Sequence, residues 1–150
     1  MSVSDIRIAP VGEDLTKDDL SLSVLRGLEK MYRVDKPVAS GVSLSKGMWG
    51  MLNADGKVAA TGATPTGACF LVFAGNDRYD AKATGQVTLI MASPVVVKTS
   101  VYDTAATYAV GDMLCVKNGK VTKRTGSEAR YGRVLEVGAG YLVYETLAGV

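Results

Sequence analysis

The chain has 150 residues, 47% of them hydrophobic and 21% charged, and seventeen Lys and Arg against fifteen Asp and Glu leave a formal net charge of +2. That length suits one domain able to bury roughly 70% of its unfolded surface, and so small a charge gives little drive for nucleic-acid binding by counterion release. The sequence has no histidine, which removes Ser-His-Asp and Cys-His catalysis, histidine general bases and the usual zinc and iron sites together.

Residues 1–36 differ in texture from the rest and read as an N-terminal arm and lead-in, with 37–150 as a β-domain. Asp5 to Val11 alternates Ile6 and Ile8 with polar neighbours and stops at Pro10, the pattern of a short edge strand or extended arm. It lacks the basic and apolar regions of a secretory signal. Thr16 with Asp19 resembles a capping box ahead of Leu20, Val24, Leu28 and Met31 at helical spacing. Leu20, Leu22 and Val24 also alternate with period two, and Gly27 interrupts the middle, so helix and strand both stay open here.

From Val38 onward the chain reads as β throughout. Strands are expected at Val42 to Leu44, Met48 to Leu52, Ala68 to Phe73, Gln86 to Met91, Val95 to Thr99, Met113 to Val116, Lys120 to Lys123, Arg133 to Val137 and Tyr141 to Thr146, each bounded by Gly, Asn, Asp, Ser or Pro. Short strands at close spacing predict an all-β compact barrel or sandwich of antiparallel strands, preceded by the extended N-terminal arm. No apolar run is long enough to span a bilayer as a helix.

The clearest local signal is Asn118-Gly119, the dipeptide best suited to the two positive-φ positions of a type I′ hairpin turn. It sets Lys117 opposite Lys120, Val116 opposite Val121 and Cys115 opposite Thr122. The same phrase occurs earlier: Gly47 to Val58 resembles Gly111 to Val121, with Asp55-Gly56 in place of Asn118-Gly119 and one residue more. Thr61-Gly62 then leads to Phe70 at the spacing with which Thr125-Gly126 leads to Val134. Two similar units, about 47–75 and 111–139, follow from this echo.

Motifs that spell chemistry are weak. Ser43-Leu-Ser-Lys46 reads S-x-x-K, but that dyad needs a helix and the segment lies between glycines in a β context. Gly75 to Asp80 holds Asn76, Asp77 and Asp80 without the order of a calcium loop, so a self-capping turn is expected and no metal. Gly138 and Gly140 lie between strands, not before a helix, so no phosphate loop is expected. Cys69 and Cys115 read as buried thiols, although a pairing stays open. Lys117, Lys120, Lys123 and Arg124 read as a solvated hairpin edge, and Trp49 as core or interface.

The run Phe70 to Asp80, Thr84 to Thr88, Tyr108 to Leu114 and Tyr131 to Leu135 resembles the head decoration, or capsid cement, proteins of tailed bacteriophages. The resemblance covers roughly residues 20–147 and rests on the order of turn-and-strand phrases rather than on a catalytic signature. It implies a non-enzymatic structural protein without cofactors, made in the bacterial host cytoplasm and carried on the virion's capsid exterior. It also implies a homo-oligomer, dimer or trimer, that bridges copies of the major capsid protein and touches neither nucleic acid nor membrane. The contact residues expected on that basis are Ile6, Ile8, Leu20, Leu22, Val24, Leu25, Met31 and Tyr32. The competing expectation is a glycan- or ligand-binding β module using Tyr79, Tyr102, Tyr108, Tyr131, Tyr141 and Tyr144 on one rim.

Overall fold

The computed structural model describes residues 21–27, 32–65, 68–77, 85–91 and 94–147. Those residues form eleven strands and no helix: β1 (Ser23–Arg26), β2 (Arg33–Pro37), β3 (Trp49–Leu52), β4 (Val58–Ala59), β5 (Cys69–Ala74), β6 (Gln86–Ile90), β7 (Val96–Thr99), β8 (Met113–Lys117), β9 (Lys120–Lys123), β10 (Gly132–Gly138) and β11 (Tyr141–Thr146). They pair antiparallel into a six-stranded sheet, ordered β1-β7-β11-β10-β8-β9, and a five-stranded sheet, ordered β2-β6-β5-β3-β4. The expectation of an all-β fold holds, and of the two architectures weighed it is sandwich-like rather than a closed barrel.

β1 aside, the two sheets are wired identically. Numbered within each unit, β2 to β6 and β7 to β11 both run in the order one, five, four, two, three. Register repeats as well: Val34 pairs with Leu89 as Val97 pairs with Tyr144, and Leu52 pairs with Val58 as Val116 pairs with Val121. Each unit places a bulge at the same point, Phe73 between Val72 and Ala74 in one and Leu135 between Val134 and Glu136 in the other. Each also curls until the chain just after its first strand forms a parallel bridge to its third, Val38 to Val58 and Tyr102 to Val121. The echo in sequence is thus part of a repeat that runs over β2 to β11.

The register corrects the spacing argument by two residues. Val72, not Phe70, stands where Val134 stands, so the two Thr-Gly pairs are not equivalent. The hairpin turns explain the length difference between units. Asn118 (φ 52°) and Gly119 (φ 82°) make the expected two-residue turn and register. Asn53 pairs with Lys57 around a three-residue loop in which Gly56 takes φ 75°.

The core has two parts. Leu44, Val58, Val72, Val87 and Leu89 fill the inside of the five-stranded sheet. Trp49, Cys69, Leu71 and Ile90, on its other face, join Val97, Leu114, Val116, Val121, Tyr131, Val134 and Tyr144 in the larger cluster. Trp49 Nε1 donates to Tyr144 Oη at 3.2 Å, and the Trp49 and Tyr131 rings lie 5.5 Å apart, so buried polar atoms at this junction are paired rather than stranded.

Three expectations change. Val42 to Leu44 is not a strand: Asn76 accepts from Leu44 N through Oδ1 and donates to Val42 O through Nδ2, taking the backbone groups a ladder would use. The boundary expected at 36/37 falls inside β2, which tolerates Pro37 because it is an edge strand. Residues 21–26 are built into the body, since Leu22 is 3% exposed and the Thr99 hydroxyl donates to Ser21 O.

Candidate functional site

Among the described residues there is no group of three or more Cys, Asp or Glu side chains placed to hold a metal. No helix there is long and apolar enough to cross a membrane. Ser43 and Lys46 lie in irregular chain rather than on the helix the dyad needs, and Lys46 Nζ sits 5.6 Å from the Phe73 ring centre. Asp77 accepts from Ser45 Oγ at 2.9 Å, while Asp80 lies outside the described residues.

The remaining candidates are structural. Cys69 and Cys115 are both free and buried, and burial raises both thiols above their ordinary range, so neither is a poised nucleophile. Tyr131 and Cys69 share a side-chain hydrogen bond, and burial foremost pushes Tyr131 up to about 12. The basic run is largely paired: Lys117 with Glu128 and Lys123 with Asp112, each at 3.5 Å, Arg124 Nε with Glu128 O, and Arg133 with Glu145. Backbone amides and Lys117 hold the Glu128 carboxyl below its usual range.

Lys117 and Lys120 of the Asn118-Gly119 hairpin are exposed, as expected of a solvated edge, while the backbone of its tip is tied to distant segments. Asn118 N donates to Gly62 O at 2.8 Å, Gly119 N to Thr61 Oγ1 at 2.8 Å, and Gly119 O accepts from Trp49 N at 2.7 Å. This turn clamps the six-stranded sheet to β3 and to the loop after β4. Sequence reasoning missed Thr61 because a Thr in a Thr-Gly turn carries no sign of a distant partner.

The tyrosines do not gather on one rim. Tyr131 and Tyr144 are core residues, Tyr141 lies under Lys98 at 4.2 Å, and Tyr79 falls outside the described residues. Tyr102 and Tyr108 pack edge to face, 5.6 Å apart, and Tyr108 Oη donates to Asp103 O. Beside Tyr102 an open cleft of about 480 Å³ is lined by Asp103, Thr104, Lys117, Asn118, Lys120 and Thr122. Its one acid, Asp103, already accepts from Thr122 and Ala105.

Of the expected contact residues, Ile6, Ile8, Leu20 and Met31 lie outside the described residues. Leu22 is buried in the main core and Val24 packs half-buried against it, so Leu22 is corrected from surface to core: its side chain fills space beneath β1. Leu25 and Tyr32 are the exposed ones, at 51% and 63%. Leu25 is the bulged residue between Val24 and Arg26, which throws it outward, and Tyr32 immediately precedes β2. Both strands lie at sheet edges, so Leu25 sits on the edge of one sheet and Tyr32 beside the edge of the other. No protein-family model, curated protein or solved structure matches the chain.

Proposed function

We propose that the protein is a non-catalytic structural module that decorates the exterior of an icosahedral bacteriophage shell and stabilises its expanded form by bridging copies of the major capsid protein. The observation that carries this reading is the exposure of Leu25 on edge strand β1 and of Tyr32 just before edge strand β2. Large apolar side chains at sheet edges favour burial against another protein. A body tied by buried cross-sheet hydrogen bonds suits a rigid spacer between sites.

The mechanism is linkage. A protein that binds two capsid subunits only in their expanded arrangement adds its binding free energy to that arrangement alone. An oligomer engaging several sites gains further through effective concentration. Glycan binding is the weaker reading, because two of the six tyrosines it needs, Tyr131 and Tyr144, are core.

Cosedimentation with expanded and unexpanded phage heads tests the proposal. Saturable binding to expanded heads is expected, and Leu25→Asp and Tyr32→Asp variants, checked for folding by circular dichroism, should each lower occupancy. Absence of binding to either form of head would overturn it.

A further inference from the structure

The repeat exposes an inequality between the two units. In the trailing unit the first strand, β7, has neighbours on both sides, β11 and β1. Its counterpart in the leading unit, β2, has β6 on one side and, among the described residues, no strand on the other. β1 lies antiparallel along β7 with Val24 opposite Val97, and Val97 is the counterpart of Val34. A strand therefore fits alongside this position of the repeat without disturbing the bridge from Tyr102 to β9.

The outer edge of β2, which no described strand borders, has a defined register. Tyr32 O accepts from Met91 N and Val38 N donates to Gly85 O, so alternate residues Tyr32, Val34, Lys36 and Val38 turn their backbone groups toward β6. Arg33 and Asp35 turn theirs outward. Beyond Pro37 the outer side is taken by β4, through Ala39 N to Val58 O. β1 carries a bulge, a device that spoils further pairing at an edge, whereas the β2 register has none.

We propose that β2 pairs antiparallel with β2 of a second copy across a two-fold axis, joining the two five-stranded sheets into one. The occupant is argued from charge. Centred on Val34, self-pairing sets Arg33 opposite Asp35 of its partner twice, Val34 opposite its own copy, and Tyr32 opposite Lys36. The outward amides and carbonyls of Arg33 and Asp35 then exchange four backbone hydrogen bonds. Shifting the register either way sets Arg33 against Arg33 or Asp35 against Asp35, and the second shift also presents Pro37, which has no amide hydrogen. Only one register matches charge with charge. Tyr32, 63% exposed, gains cover and a cation over its ring. The interface does not depend on shell binding, and its test is separate from cosedimentation.

Analytical ultracentrifugation of the full chain decides it. The expected species has twice the chain mass of 15.7 kDa. Arg33→Asp sets carboxylates opposite one another at both ends, and Asp35→Arg does the same with guanidiniums; each should weaken dimerisation about tenfold. The double variant Arg33→Asp with Asp35→Arg restores the opposite-charge pairs and should return affinity to within a few-fold of the parent. The rescue separates pairing from folding, because Arg33→Asp loses the Arg33–Phe73 contact, Asp35→Arg loses the Thr88–Asp35 bond, and the double variant lacks both. A monomeric parent, an oligomer indifferent to the single reversals, or a monomer that dimerises only after residues 1–20 are removed would each overturn the proposal.

Discussion

The leading and trailing units share strand order, register, bulge position and curl, yet they live in different surroundings. The leading unit's sheet is covered on both faces, by its own interior around Leu89 and by the cluster holding Tyr131 and Tyr144. The trailing unit turns Arg133, Glu136 and Lys98 outward, with Leu135 and Val137 exposed among them. Positions that face each unit's interior stay apolar in both: Val72 and Val134, Val58 and Val121, Leu89 and Tyr144, Val87 and Leu142 are all buried. Positions on the other face diverge, with Trp49 against Met113, Leu71 against Arg133 and Ile90 against Glu145. Wiring is thus a property of the repeat, while the composition of the second face follows what it packs against.

The sharpest test of that contrast sets Trp49 against its counterpart. Trp49→Ala should cost about 3–5 kcal/mol in chemical denaturation, since it empties buried volume and strands the Tyr144 hydroxyl. Met113→Ala, at the half-buried equivalent, should cost about 1 kcal/mol. Similar losses at both would break the comparison.

The two hairpin tips come next. Gly119→Ala meets a positive φ and Met48 Cε 2.6 Å from the new Cβ, whereas at Gly56 nothing lies within 4 Å. Gly56→Ala should cost about 1 kcal/mol for the left-handed backbone alone, and Gly119→Ala about 2 kcal/mol. Thr61→Ala, which leaves Gly119 N without its acceptor, should cost about 1–2 kcal/mol in the same assay. The same change at exposed Thr125 should stay within about 0.5 kcal/mol.

The buried tyrosines belong to the contact between units and set an alkaline limit. Burial, more than any partner, raises Tyr131 to about 12 from 10.0, and burial raises Tyr144 as well. Because the folded values lie above the unfolded one, their contribution is whole below about pH 10 and is lost as pH rises through about 12. The thermal midpoint should fall across that window, and Tyr131→Phe should flatten the fall. The smallest effect is expected on the outer face: Arg133→Ala breaks an exposed pair with Glu145 and should cost under about 1 kcal/mol, diminishing with salt.

Legibility followed the range of the forces. Asn118-Gly119 was readable to the register because positive φ at two consecutive positions is a local demand that few dipeptides meet. The echo at Asp55-Gly56 was readable for the same reason, but its extension to β2, β6, β7 and β11 was not, since those strands share wiring without sharing residues. Val42 to Leu44 looked like a strand because its apolar pattern is right; a side chain over thirty residues away, Asn76, takes its hydrogen bonds instead. The lead-in stayed open between helix and strand until β1 found β7, a pairing no local pattern announces.

By itself the sequence determined the all-β class, eight of the eleven described strands and the loss of histidine chemistry, because alternation, turn dipeptides and composition act locally or by absence. Tertiary structure alone decided that the Gly119 backbone is clamped by Thr61, and that Leu22 is core while Leu25 is exposed. It also decided that β2, unlike β7, borders only one described strand. Each of these depends on which distant segment arrives alongside, and pairing across long sequence separations is set by the packing of whole sheets rather than by any residue's own preference.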